Sequence, residues 1–533
     1  MSTSNRAPLA RLIVLGIDAA SPDLLERWIA DGSLPNLAAL VRRGTVSLLR
    51  GVEGFFVGST WPSMYTGTNP AEHSVHYLLE MVRGTYELRE SVKGAFVRRP
   101  AFWRALSDAG KRVAILDVPL TRLEEELNGV QVVEWGGHDS IFGFRAFPAA
   151  LEAEILERFG THPVGSSCDA ENRTSADYAD FAKRLEQGAA RKGELSRHIL
   201  AGGGWDLFMQ VFTEAHCAGH QCWHLHDATH PAHDPASVAL AGNPMHRAYV
   251  AIDREIGAIV AMEPNAQVVV FSAHSMSHWY GAQFLLHDVL VKLGASVAKP
   301  APAVSTSAKL KSTLRVVWRQ LPQSVRSAIK RVRNNVVPPN HIAARPAFAA
   351  DVLRSRCFVH PNGLAVGGIR LNLVGREPSG LLESGKAADE FVEWLSAALL
   401  ELVDERTGLP LVKRVTRTST LYQGENIDLL PDLLVEWSDA TATGSTNIAG
   451  GIHARIRATS PRIGVVEGAN EFARTGEHRP SGWMVAAGPG ITTGTLANAP
   501  ALFDLAPTLS AMLGVQHRNA SGQTIGQLVN PMP

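Results

Sequence analysis

The chain predicts an α/β fold built on a mostly parallel central sheet with helices on both faces. Three observations carry that prediction. Arg11-Leu-Ile-Val-Leu-Gly-Ile-Asp18 is a continuous apolar run ending on a carboxylate, the signature of a strand buried on both faces. Comparable runs recur along the chain, and segments with helical apolar spacing alternate with them, as βαβ units require. No period of about 20 to 50 residues marks a repeat array.

Taken in order, the first run is followed by Ser21-Pro22-Asp23, which supplies an N-cap, a proline at the first helical position and an acidic first turn; Gly32 stops the helix. Open α/β sheets bind ligands beyond the carboxyl ends of their strands, so Asp18 is either a site carboxylate or a loop residue capping a helix. Within GVEGFFVGSTWPSMYTG, Pro62 starts a helix and leaves Thr60 with two readings, an N-cap or a hydroxyl beside N–H groups that favour anions. Phe102 to Gly110 reads as a helix, and Arg112 to Asp117 and Val130 to Glu134 read as strands. Asp177 to Leu200 has helical spacing, Gly202-Gly-Gly204 breaks it, and Trp205 to Phe212 is the next strand.

That strand runs into TEAHCAGHQCWHLHD, which offers Glu214, His216 and His220. The two histidines are four apart and share one face of a helix, a spacing that suits zinc. The later His224, His226, His230 and His233 read as a solvated or locally hydrogen-bonded loop. Ala266 to Ser272 is a further strand and brings His274 to its carboxyl end.

From Lys299 to Arg345 the composition turns to Pro, Ala, Ser and a basic run. Residues 309–333 read as an amphipathic surface segment, either a solvated face packed on the main domain or a weak peripheral contact with anionic lipid. Beyond it, Gly367 to Asn372 and Leu433 to Trp437 are strands and about Ala387 to Val403 a helix. His478 falls in a glycine-bounded loop before the strand Trp483 to Ala487, and Asp504 opens a terminal helix. The expected organisation is a core over 8–295, a basic linker or insertion over 296–345, an inserted α/β segment or cap over 346–445, and the rest of the core over 446–533.

Composition narrows the function. With 533 residues and 45% hydrophobic content, the chain can bury a large core. Lys+Arg and Asp+Glu both number 51, so no net field argues for stable nucleic-acid binding or an anionic membrane. Four cysteines without a CxxC pair suit a reducing compartment, and the N-terminal apolar run is too short for a signal peptide or a membrane span. A soluble cytoplasmic protein is the expectation.

The blocks GIDAASPDLL with LPNLAALVRRG, STWPSMYTGTNPAEHSV, EAHCAGHQCW, FSAHSM, GEHRPSGWMVAAGPGI and DLAPTLSAMLGV, in that order, resemble the alkaline phosphatase superfamily, in particular its type I phosphodiesterase/nucleotide pyrophosphatase branch. IRLNLVGREPSG and PDLLVEW look like bacterial members of the same superfamily. The resemblance implies an alkaline phosphatase-like fold and a hydrolase using two divalent metal ions, usually zinc, on a phosphorylated small-molecule or nucleotide-like substrate. By the same resemblance Asp18 is a metal carboxylate, Thr60 a nucleophile that also touches metal, His220 and His478 ligands of one ion, and His274 a ligand of the other. His216 stands where the family has Asp and adds a third imidazole to the first ion. Ala273 also stands where the family has Asp, and Ser275 where it has Gly, which leaves the second ion with Asp18, Thr60 and His274, and Glu214 as a further candidate. Three functions follow: a metal-dependent phosphohydrolase cleaving a phosphodiester or phosphomonoester, a catalytically degenerate member binding a phosphorylated ligand or partner, and a phosphotransferase or phosphomutase. The first is favoured because nucleophile, carboxylate and histidines occur together.

Overall fold

The computed structural model describes residues 10–91, 98–138, 140–165, 167–170, 173–300, 348–439, 455–470 and 473–529. Its centre is a nine-stranded sheet. In spatial order the strands are Gly494–Thr495, Gly44–Arg50, Ser481–Ala487, Gln267–Ser272, Ala10–Ile17, Trp205–Phe212, Val113–Leu116, Gly129–Val133 and Arg145–Phe147. Seven run in one direction; Ser481–Ala487 and Arg145–Phe147 oppose them. The apolar run that opens the chain is the middle strand, paired in parallel with Gln267–Ser272 on one side and Trp205–Phe212 on the other.

Strand side chains alternate between faces, and the two cores of the molecule follow that alternation. Leu12 and Val14, Val113 and Ile115, and Val269 and Phe271 point into one core, closed by the helices Thr60–Thr66, Phe102–Asp108, Gln283–Lys292 and Leu505–Met512. Ile13, Leu15 and Ile17, Ala114 and Leu116, and Val268 and Val270 point into the other, closed by Pro22–Ala30, Ser175–Ala201, Glu214–His226 and Pro244–Met262. A sheet covered on both faces is why these strands read as unbroken apolar runs.

Residues 357–437 form a separate antiparallel sheet in the order Cys357–His360, Val366–Leu371, Leu433–Trp437 and Val412–Arg417. Its Ile369, Leu434 and Val435 join the first of the two cores. The basic segment read over 309–333, and most of the linker assigned to 296–345, lie outside the described residues. Among the described residues no helix is long and apolar enough to cross a membrane.

Candidate active site

The parallel strands deliver their ends to one edge of the sheet. Asp18 follows Ile17 directly, its backbone N–H donating to the Phe212 carbonyl at 2.8 Å. Its carboxylate is buried, with Oδ1 accepting from the Trp61 indole N–H at 3.0 Å. Thr213 follows the neighbouring strand, and the helix Glu214–His226 begins there, stacking His216 and His220 one turn apart with ring centroids 4.7 Å from each other. His274 stands two residues past the strand Gln267–Ser272. His478 lies on a short strand, Gly476–Arg479, paired antiparallel with Ser275–His278 so that His478 faces Met276. This corrects the loop expected there: the partner strand lies some two hundred residues earlier, beyond what local turn signals report. The Tyr280 hydroxyl donates to the His478 carbonyl at 2.6 Å and fixes the strand's position.

These elements bring Asp18, His216, His220, His274 and His478 together. The Nε2 atoms of His216 and His478 lie 3.2 Å apart, as do those of His220 and His478. His216 also places Nδ1 3.0 Å from Asp18 Oδ2, and His274 Nε2 is 3.9 Å from Asp18 Oδ1. The His274 and His478 rings are 4.6 Å apart. The His220 Nδ1–H donates to the Gly476 carbonyl at 2.9 Å, which makes its Nε2 the lone-pair nitrogen, with Arg474 Nη1 3.4 Å away.

Electrostatics set the same groups up as ligands. Burial would raise the Asp18 carboxyl, but His216, His274 and the Trp61 hydrogen bond outweigh it and hold it well below the usual carboxylate range. Burial, reinforced by His216 against the opposing charge of Asp18, lowers His274 to about 4. His220 and His478 are held well below their ordinary values by burial first, then by Arg474 for His220 and by His274 and His216 for His478. An anionic carboxylate beside the neutral imidazoles of His220, His274 and His478 is the kind of donor set a divalent cation takes. The spacing fits as well: Zn–N bonds of about 2.0–2.1 Å in a tetrahedron put nitrogens about 3.3 Å apart, close to the two 3.2 Å separations.

The remaining residues expected at the site divide. Thr60 opens the helix Thr60–Thr66 and is fully buried beside Trp61, its hydroxyl donating to the Phe56 carbonyl at 2.7 Å. Glu214 does not turn toward Asp18. Its Oε1 lies 3.0 Å from His162 Nε2 and 3.8 Å from Lys192 Nζ, in a buried charge cluster behind the histidine helix. Ala273 is buried and offers no donor atom. The helix also continues through His224 and His226, where a loop was expected, and His224 is buried with its Nδ1 3.0 Å from the Thr475 hydroxyl.

Two residues that sequence reasoning passed over also reach the site. The His138 ring lies 4.2 Å from that of His216, and His138, His216 and His220 each present a ligand atom within 4.8 Å of the others. The Arg474 guanidinium, held by Asp169 at 2.5 and 2.9 Å, comes within 3.4 Å of His220 Nε2. A cleft of about 640 Å³ opens next to the site, lined by His278 and Tyr280 after His274, by Arg479 after His478, and by Lys413 and Trp437 of the antiparallel sheet.

The model of the type I phosphodiesterase / nucleotide pyrophosphatase family matches residues 12–354. The chain belongs to that family. The large, mostly parallel sheet flanked by helices is the fold of its solved relatives in the alkaline phosphatase superfamily. Phosphonoacetate hydrolase from Sinorhizobium meliloti 1021, solved with phosphonoformate, aligns with 94% of each chain at 16% identity and a TM-score of 0.50. Human ectonucleotide pyrophosphatase / phosphodiesterase 5 aligns with 98% of this chain and 100% of its own at 10% identity and a TM-score of 0.46. No curated protein sequence matches the chain. Membership of the family indicates a phosphoryl hydrolase of the phosphodiesterase/pyrophosphatase branch.

Proposed function

We propose that this family member is a metal-dependent phosphoric ester hydrolase that cleaves a phosphodiester or phosphomonoester of a small-molecule or nucleotide-like substrate, with Thr60 as nucleophile. The observation that carries the reading is the convergence of the His216 and His220 Nε2 atoms on that of His478, each 3.2 Å from it, beside a buried carboxylate. In this reading those three imidazoles hold one zinc-class ion, and Asp18, His274 and Thr60 hold a second with fewer protein ligands, because Ala273 contributes none. Bound there, divalent ions supply the charge that offsets phosphoryl oxygens and stabilises the leaving oxygen of an in-line displacement.

The chain's own residues do the rest. The Gly476 carbonyl orients His220 through Nδ1, and the Trp61 indole orients Asp18. The Thr60 hydroxyl, which donates to the Phe56 carbonyl, would attack phosphorus, its proton passing to solvent as the bond to the leaving oxygen breaks, and water would then hydrolyse the phosphothreonine. Arg474 keeps its Nε and Nη2 on Asp169 and turns Nη1 toward His220, bringing positive charge to where a phosphoryl oxygen would sit. The adjoining cleft receives the group that leaves.

Chelator-stripped protein is expected to lose hydrolysis of an aryl phosphodiester or monoester and to recover it when Zn2+ is restored. Thr60→Ala is expected to lower kcat by about 1,000-fold or more with metal content unchanged. Metal-loaded protein inactive on phosphomonoesters, phosphodiesters and phosphonates alike overturns the proposal.

A further inference from the structure

Behind the histidine cluster, and meeting it at His138, lies a second set of metal-type donors whose two cysteines have no part in the proposed hydrolysis. Cys168 and Cys217 are buried and outside any disulfide, 2% and 3% exposed. His138 stands against both, its Nδ1 3.2 Å from Cys168 Sγ and 3.4 Å from Cys217 Sγ, and the three ligand atoms lie within 4.8 Å of one another. They come from three parts of the fold: the loop after Gly129–Val133, the loop before Ser175–Ala201, and the helix Glu214–His226.

Each part is fixed independently of the others. The Asp117 carboxylate accepts from the backbone N–H groups of Trp135 at 2.8 Å and Gly136 at 2.9 Å, which pins the chain leading to His138. The Cys168 carbonyl accepts from Arg173 at 2.6 Å, and that guanidinium packs over the Phe181 ring at 4.0 Å. Cys217 is held by its helix, its N–H donating to the Thr213 carbonyl at 3.2 Å.

We propose that His138, Cys168 and Cys217 form a Cys2His site for a thiophilic, zinc-class divalent ion. In a tetrahedral zinc site, Zn–N of about 2.0–2.1 Å and Zn–S of about 2.3 Å put nitrogen and sulfur about 3.6 Å apart. The observed separations are within a few tenths of an ångström of that, so the donors need only a small outward shift to admit the ion. Two thiolates and an imidazole select zinc over magnesium or calcium, which take oxygen donors. Each cysteine binds as its thiolate, so a proton still on sulfur passes to solvent as that metal–sulfur bond forms.

The site has a structural consequence for its neighbour. Asp169, next to Cys168, holds the guanidinium of Arg474, which in turn reaches His220 Nε2. An ion on Cys168 fastens the loop that positions this arginine.

Cobalt tests the proposal, because thiolate ligation gives Co2+ an intense near-ultraviolet charge-transfer band that imidazole and carboxylate ligands do not. The full-length chain is reduced, stripped with chelator and titrated with Co2+. The band is expected in the wild type, and is expected to be lost in Cys168→Ser and in Cys217→Ser with one equivalent less of bound metal, while the weaker visible absorption of the histidine site persists. The wild-type spectrum decides by itself whether thiolates ligate, even where a variant fails to fold. Absence of the band in the wild type, or its persistence at full strength in folded Cys168→Ser, overturns the proposal. Loss of hydrolysis with the band intact would count against the hydrolytic reading alone.

Discussion

Asp18 shows what burial does to a single carboxylate. It is 2% exposed, yet ionised, because a hydrogen bond from Trp61 and the positions of His216 and His274 offset the cost of removing its charge from water. The same contacts let it act on the imidazoles: a carboxylate 3.0 Å from His216 Nδ1 makes that ring a better donor through its other nitrogen. Asp18→Asn keeps the shape and an acceptor for Trp61 but removes the charge. It is expected to weaken metal binding by about 10- to 100-fold, measured by competition with a chromophoric chelator, with little change in fold. An unchanged affinity would place the charge outside the metal's reach.

At the scale of elements, the helix Ser175–Ala201 shows how the site is held from behind. Lys192 is fully buried on it, its Nζ donating to the Val211 carbonyl at 3.2 Å and the Thr213 hydroxyl at 2.9 Å. The same ammonium faces Asp117 at 3.7 Å and Glu214 at 3.8 Å, the carboxylates at the ends of two neighbouring strands. Gly188 lets the helix come this close, since a Cβ there would meet His162 at 2.8 Å. Lys192→Met leaves two buried carboxylates without their cation and is expected to cost about 3–5 kcal/mol of stability in denaturant unfolding. This arrangement also explains which parts of the site were legible in the sequence. Asp18 and His274 could be found because they terminate apolar strand runs, and His216 and His220 because a four-residue spacing fixes them on one helix face. Nothing local marks Glu214 as a partner of Lys192 rather than a ligand, because that choice depends on a helix packed across the sheet. His138 and Arg474 were missed for the same reason: Asp117 steers one through two backbone hydrogen bonds and Asp169 the other through an ion pair, both set by tertiary packing. The sheet, by contrast, was readable from its strands, since burial on both faces leaves an apolar run whatever the topology.

The whole molecule carries buried histidines outside the candidate site as well, and they set its response to acid. His73, His76 and His360 are fully buried, and the His76 and His360 rings lie 5.2 Å apart. Burial, with some repulsion from His76, lowers His73 to about 3; burial also lowers His76 to about 4 and holds His360 well below its ordinary value. The unfolded chain binds protons at these positions near pH 6.5, whereas the folded chain does not until the pH falls much further. Between those limits the unfolded state binds more protons than the native one, so stability is fully present above about pH 6.5 and is lost as the pH falls toward 4. Each such group contributes a slope of at most about 1.4 kcal/mol per pH unit in that window. Denaturant unfolding of metal-free protein at a series of pH values from 7 to 4 is expected to show this decline. His76→Phe removes one titrating group, fills the same space beside Phe55, and makes the decline shallower. An equal slope in that variant would assign the acid sensitivity to other groups.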